Sequence, residues 1–361
     1  MDFRSDVVSG AHPAIIEALV TANQGSAAAY GEDAWTQRLA RRFGEIFEHD
    51  VAVLPVASGT AANALSLATF VPPWGAIYCH ADAHISVAEC GAPELFTGGA
   101  RLALVAGDHG KISPAAVEGA IRRAGDVHAV QPAAISISQA SEVGTVYRPE
   151  EIGALGETAR RHRMALHVDG ARFANALVAL GKTPAELTWK AGVDVLSFGA
   201  TKNGCIAAEA IVLFDADKAQ ELGYRRKRGG HLLSKSRFLA AQLEGYLTDD
   251  LWLGNARHAN AMTRRLAEGL ERGAGIRPLQ SVESNQLFVV FAEPVASALR
   301  AAGFLFLDWP ALGPGACRLV ASFQTSAYEV DALIGAAATA MGAPSGSPSS
   351  RARTPPPPRD R

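Results

Sequence analysis

The stretch VDVLSFGATKNG, residues 193–204, sets a lysine directly behind an apolar run. VDVLSFG reads as a strand buried on both faces, and such strands belong to parallel sheets covered by helices. Lys202 then sits among small residues where an ammonium is poorly solvated. Burial of that kind favours the neutral amine, which is a nucleophile. The small neighbours would leave room for something bulky to approach it.

Six further apolar runs read as strands: VAVLPV (51–56), AIYCH (76–80), ARLALV (100–105), AAISIS (133–138), MALHVD (164–169) and AIVLF (210–214). Amphipathic stretches separate most of them. PAAVEGAIRRAG (114–125) places Ala115, Val117, Ala120 and Ile121 at helical spacing, and PEEIGALGETARRH (149–162) is a second such segment. Alternation of this kind predicts an α/β fold, a mostly parallel seven-stranded sheet with helices on both faces. Ligands in such folds bind beyond the carboxyl ends of the strands. A helical region over 234–273 bridges to a smaller α/β unit, with strands in NQLFVVF (285–291) and CRLVASF (317–323). The expected domains are 1–245 (N-terminal arm and large cofactor-binding domain) and 246–342 (linking helix and small C-terminal domain). The Pro/Arg-rich tail, 343–361, lacks large apolar residues and is expected to be disordered.

Bulk composition excludes several classes. The 361 residues are 48% hydrophobic and 19% charged with a net charge of −2, so no nucleic-acid or membrane-surface footprint is expected. No run of about 18 apolar residues suggests a membrane span. MDFRSDVVSG lacks the pattern of a signal peptide. Cys79, Cys90, Cys205 and Cys317 fit no zinc spacing. Free thiols in a reducing cytoplasm, and no metal, are the expectation.

Four stretches at predicted strand ends gain meaning together. VASGTAAN (56–63) offers Ser58, Gly59 and Thr60 at a helix N-terminus, which is either a plain cap or an anion cradle. HVDGARFANA (167–176) ends a buried strand at Asp169, a carboxylate that needs a partner: Arg172, or a protonated ring nitrogen. Lys202 follows after one crossover, on a neighbouring parallel strand. ADAHISVAECGAP (81–93) supplies His84, whose flat ring could stack on a planar ligand. Cradle, acid, lysine and ring together describe a site for pyridoxal 5′-phosphate. Lys202 would bond the aldehyde, and Asp169 would keep the pyridine nitrogen protonated so that the ring withdraws electrons.

FRSD (3–6), AAYGEDAWTQRL (28–39), SGTAAN, AHISVAECGAP, QASEVGTVY (139–147), HVDGARFANA, SFGATKNG and RRKRGGHLLSKSRF (225–238) occur in that order. Together they resemble the low-specificity L-threonine aldolases of the β-eliminating lyase group, over residues 2–340. The resemblance implies the aminotransferase-like fold (fold type I) and cleavage of L-threonine, L-allo-threonine and related L-β-hydroxy-α-amino acids to glycine and an aldehyde. It implies that Lys202 carries the cofactor, His84 stacks on it, Asp169 pairs with its nitrogen, and Ser58, Gly59 and Thr60 take its phosphate. Arg172 would reach the cofactor's 3′ oxygen or the substrate, and Ser5 and Arg318 would bind the substrate carboxylate. Tyr30 and Asp33 match a loop near the site. The basic stretch from Arg225 to Lys235 would serve a neighbouring subunit, which implies a homodimer or homotetramer with shared sites.

One departure bears on chemistry. Where many of these enzymes carry a histidine, QASEVG carries Glu142. The base for the β-hydroxyl is therefore Glu142, His84 or a water. The rival readings are a β-eliminating lyase or an aminotransferase, which share Lys202 and Asp169, and a non-catalytic protein that binds the cofactor.

Overall fold

The computed structural model describes residues 1–342; the expectation for 343–361 falls outside the described residues. All seven expected strands form: β1 Ala52–Val56, β2 Gly75–His80, β3 Arg101–Val105, β4 Gln131–Ser138, β5 Ala165–Gly170, β6 Val195–Phe198 and β7 Glu209–Leu213. They make one sheet in the order β1-β7-β6-β5-β4-β2-β3. Pairs β3–β2, β2–β4, β4–β5 and β5–β6 are parallel. Strand β7 runs antiparallel to both β6 and β1. Two reversals restore direction, so every strand except β7 ends at the same edge of the sheet.

The helices follow from local chemistry. Gly59–Phe70 is buried without a break from Ala61 to Thr69. A helix apolar all round lies inside the protein, and its alanines let it approach the sheet closely. Pro149–Arg161 begins with Glu150 and Glu151 and ends with Arg160 and Arg161, charges that complement the helix dipole. Its Ile152, Leu155 and Ala159 face the core.

Two expected helices are changed. The segment 114–125 is helical only over Pro114–Ala120, because Gly119 weakens propagation and Arg123 turns left-handed at φ 50°. The region 234–273 is two helices, Arg237–Leu247 and Leu251–Ala274. Asp249 and Asp250 break it at φ 50° and 54°, a conformation that short polar side chains tolerate.

A second sheet, β8 Gln286–Val290, β9 Leu307–Asp308 and β10 Ala316–Val320, is antiparallel in the order β8-β10-β9. The Leu251–Ala274 helix serves both cores. Its Trp252 and Ala256 pack in the large one, and its Leu266 and Leu270 pack beneath the second sheet. Phe3 is also buried in the second core. Its N–H donates to the Leu305 carbonyl at 2.8 Å, and its carbonyl accepts from Val320 at 2.8 Å. The N-terminal arm is thereby carried over the strand ends.

Candidate active site

Five connections leave the common edge of the large sheet and converge. After β1, Ser58 caps the Gly59–Phe70 helix, its Oγ accepting from the Ala61 N–H at 3.3 Å. The N–H groups of Gly59 and Thr60 have no partner among the described residues. A side-chain carbon placed on Gly59 would meet nothing within 4 Å, so this helix end opens onto free space. Ser58 is thus a cap, and the two N–H groups beside it remain available to an anion.

Asp169 ends β5 in register with Ser197 of β6 and Ser138 of β4. Its Oδ1 accepts from the Ala171 N–H at 3.1 Å and its Oδ2 from Asn63 Nδ2 at 3.0 Å. Arg172 is not its partner. That guanidinium donates to Asp6 instead, Nε at 2.8 Å and Nη2 at 2.9 Å. Asp6 also accepts from Asn285 Nδ2 at 2.9 Å. Burial pushes the Asp6 carboxyl up, but Arg172 and Lys202 outweigh it and the net shift is downward.

Lys202 stands in the Thr201–Asn203 turn after β6. It is half-buried rather than buried, and its Nζ has no hydrogen-bonding or ionic partner among the described residues. The small residues around it serve packing more than room for a ligand. A side-chain carbon on Gly199 would come within 2.7 Å of Ala171, where β5 and β6 end together. Gly204 has φ +130°, and a side chain there would meet Asn255 at 2.9 Å.

A cavity of about 300 Å³ collects Ser58, Gly59, Thr60, His84, Asp169 and Lys202. A narrower recess adds Glu142 and Arg172 to His84, Asp169 and Lys202. Burial and the Asp169 charge push the Glu142 carboxyl up. His84 is shifted up, chiefly by its hydrogen bond to Glu89, against burial. At the arm side, Arg318 of β10 lies over the Trp309 ring at 4.5 Å, and its Nη2 donates to the Arg4 carbonyl at 3.1 Å. Among the described residues its Nε has no hydrogen-bond partner and no carboxylate pairs with it. Burial together with neighbouring Arg172 lowers the guanidinium to about 10, so it stays charged at neutral pH.

Other expected residues stand further off. Ser5 caps the Asp6–Val8 turn, its Oγ accepting from the Val7 N–H at 3.4 Å. Asp33 caps the Ala34–Phe47 helix, accepting from the Thr36 N–H at 2.8 Å. Tyr30 lines neither space. It is half-exposed, with the Lys227 ammonium 4.5 Å from its ring. The basic stretch folds back onto its own chain: Arg226 Nη1 donates to the Pro55 carbonyl at 3.3 Å, and His231 faces the Ala57 N–H at 3.5 Å. Asp6, Asn63 and Glu89 escaped the sequence reading, although each lies inside a quoted motif. Their signal was an acidic or amide side chain in a segment otherwise assigned to a neighbour.

The sequence profile described as "Beta-eliminating lyase" matches residues 2–294. The chain belongs to the beta-eliminating lyase family. Among its relatives, the "Low specificity L-threonine aldolase" of Pseudomonas aeruginosa is 43% identical over 94% of this chain and 98% of that protein. The solved structure of Leishmania major threonine aldolase superposes with a TM-score of 0.88 at 29% identity, covering 94% of this chain and 99% of that one. An aspartate aminotransferase from Thermotoga maritima, 14% identical, superposes with a TM-score of 0.69 over 94% and 91% of the two chains. This member of the family thus has the aminotransferase-like fold, as the ordered motifs imply.

Proposed function

We propose that the chain is a low-specificity L-threonine aldolase, an aldehyde-lyase that works with pyridoxal 5′-phosphate. The observation that carries this is Lys202, an amine without a partner, in one cavity with Asp169 and the open N-terminus of the Gly59–Phe70 helix. The residues suit the cofactor: free N–H groups for a phosphate, a buried carboxylate for a protonated ring nitrogen, and a flat imidazole on the cavity wall. The names of the relatives support the same reading.

When bound, the cofactor supplies an aldehyde that captures amines and a ring that draws electrons from the substrate's Cα. Lys202 provides the amine that holds it, and Asp169 keeps the proton on its ring nitrogen. The Arg318 guanidinium, short of a counter-charge, takes the substrate carboxylate, with Arg172 locked by Asp6 beside it. That grip orients the Cα–Cβ bond. His84 and Glu142 face the reacting end as the groups able to accept the β-hydroxyl proton.

The cavity mouth includes Val7 and Ile206, apolar side chains that are 53% and 50% exposed. A second copy of the chain covers this rim in our reading. No helix among the described residues is long and apolar enough to cross a membrane. All four cysteines are unpaired, which supports a cytoplasmic location.

The test is turnover of L-threonine by the purified, cofactor-loaded protein. Acetaldehyde with glycine is expected; 2-oxobutanoate with ammonia would identify an eliminating lyase and overturn the proposal.

A further inference from the structure

We propose that Glu89 is a positioning residue that fixes the His84 ring so that its Nε2 takes the β-hydroxyl proton. The inference deepens the aldolase reading and rests on it.

Glu89 lies five residues beyond His84, with its side chain wholly enclosed. Its Oε1 is 2.8 Å from His84 Nδ1 and 2.8 Å from Asn63 Nδ2. The same Asn63 nitrogen reaches Asp169 Oδ2 at 3.0 Å. An amide nitrogen carries two hydrogens, and here two carboxylate oxygens take both. The flipped amide would turn its own oxygen against two acceptors, so the orientation is decided. In the ionised carboxylate Glu89 Oε1 can only accept, and the ring nitrogen facing it donates.

Burial, and then Asp169, push the Glu89 carboxyl up, against the hydrogen bonds from His84 and Asn63. With the carboxylate ionised and Oε1 accepting from both, Nδ1 keeps its hydrogen. In the neutral ring the lone pair is then on Nε2, the nitrogen left for the cavity that His84 lines. The groups acting on the ring are Glu89, Asp169 and Glu142, which favour its charged form, and Lys202, which opposes it. Glu142, the rival base, has no hydrogen bond among the described residues to aim it.

The step balances. The substrate O–H bond breaks as Nε2–H forms, the oxygen's electron pair becomes the second bond of the aldehyde carbonyl, and the Cα–Cβ pair passes to the amino-acid fragment. Asn63 adds a link: it ties the carboxylate that steers His84 to Asp169, the carboxylate that would pair with the ring nitrogen.

Imidazole ¹⁵N NMR of the holoenzyme, with and without Glu89→Gln, tests this. Wild-type His84 should show the Nδ1–H tautomer. Glu89→Gln keeps an acceptor but removes the charge, so the His84 titration midpoint should fall by about one pH unit. Its kcat on L-threonine should fall roughly tenfold or more, with KM within about threefold, and Glu89→Asp should recover part of kcat. A wild-type Nε2–H tautomer overturns the proposal, and needs no variant to fold. An unchanged His84 titration or an unchanged kcat in Glu89→Gln also overturns it. A wild-type enzyme with the expected tautomer that leaves L-threonine intact overturns the aldolase reading and the hydroxyl assignment, while the hold of Glu89 on His84 stands.

Discussion

Asp169 lies near the end of β5 and Lys202 in the turn just beyond β6, and these two strands pair directly in a regular parallel ladder. Beside the cavity, Asp6, Arg172 and Asn285 come from segments scattered over the whole chain and are held by one another. The first wall is scaffolded by backbone, the second by charge. A strand-end residue is positioned whether or not its side chain is paired, which is why Lys202 can stand without a partner. The buried guanidinium of Arg172 has no such freedom and depends on Asp6.

Substitutions can break this contrast. Lys202→Ala should cost at least about a thousandfold in acetaldehyde release from L-threonine, while leaving the thermal midpoint close to wild type. A large fall in that midpoint would mean the first wall also relies on its charges. Asp6→Asn should do the opposite and cost about 3–5 kcal/mol in denaturant unfolding at pH 7, since it strips a buried charge of its partner. Its pH dependence has a definite sign. The Asp6 carboxyl is held below its ordinary value, so its contribution is present above about pH 4 and lost as pH falls through the lower folded value. Wild-type and Asp6→Asn unfolding curves should therefore converge in acid. Arg318→Lys, which loses the planar fork, should raise KM for L-threonine by the equivalent of about 1.5–3 kcal/mol with a smaller effect on kcat. Tyr30→Leu should change stability by only about 0.5–1 kcal/mol, the worth of its exposed contact with Lys227. A rise in KM for that variant would place Tyr30 in a neighbouring copy's site.

The same contrast separates what could be read from the sequence. Apolar runs between amphipathic stretches announced the sheet, and a sheet announces where its strands end. Asp169, Lys202, His84 and the SGTAAN turn were therefore legible, whereas Glu142 was reached only through the family resemblance. Periodicity carries no information on which carboxylate meets Arg172. The closest acid in sequence, Asp169, was one of two readings, yet Arg172 pairs with Asp6 through an arm anchored by Phe3 in the second core. Glu89 was hidden for another reason: its meaning depends on Asn63, whose amide faces it only once the Gly59–Phe70 helix lies against the sheet. The break at Asp249 and Asp250 left no trace because aspartate is common in helices and in turns alike.

The anchoring of Phe3 also carries a clock. Its backbone partners, Leu305 and Val320, are made some three hundred residues later. At about 5–20 residues per second, the arm waits roughly 15–60 s on the ribosome before its docking site exists. Arg172 follows Asp6 by 166 residues and Asn285 follows it by 279, so the buried ion pair and its amide partner are also completed late. The large sheet, whose last strand ends at Leu213, can thus form early, while the cavity gains its second wall only when β10 is in place.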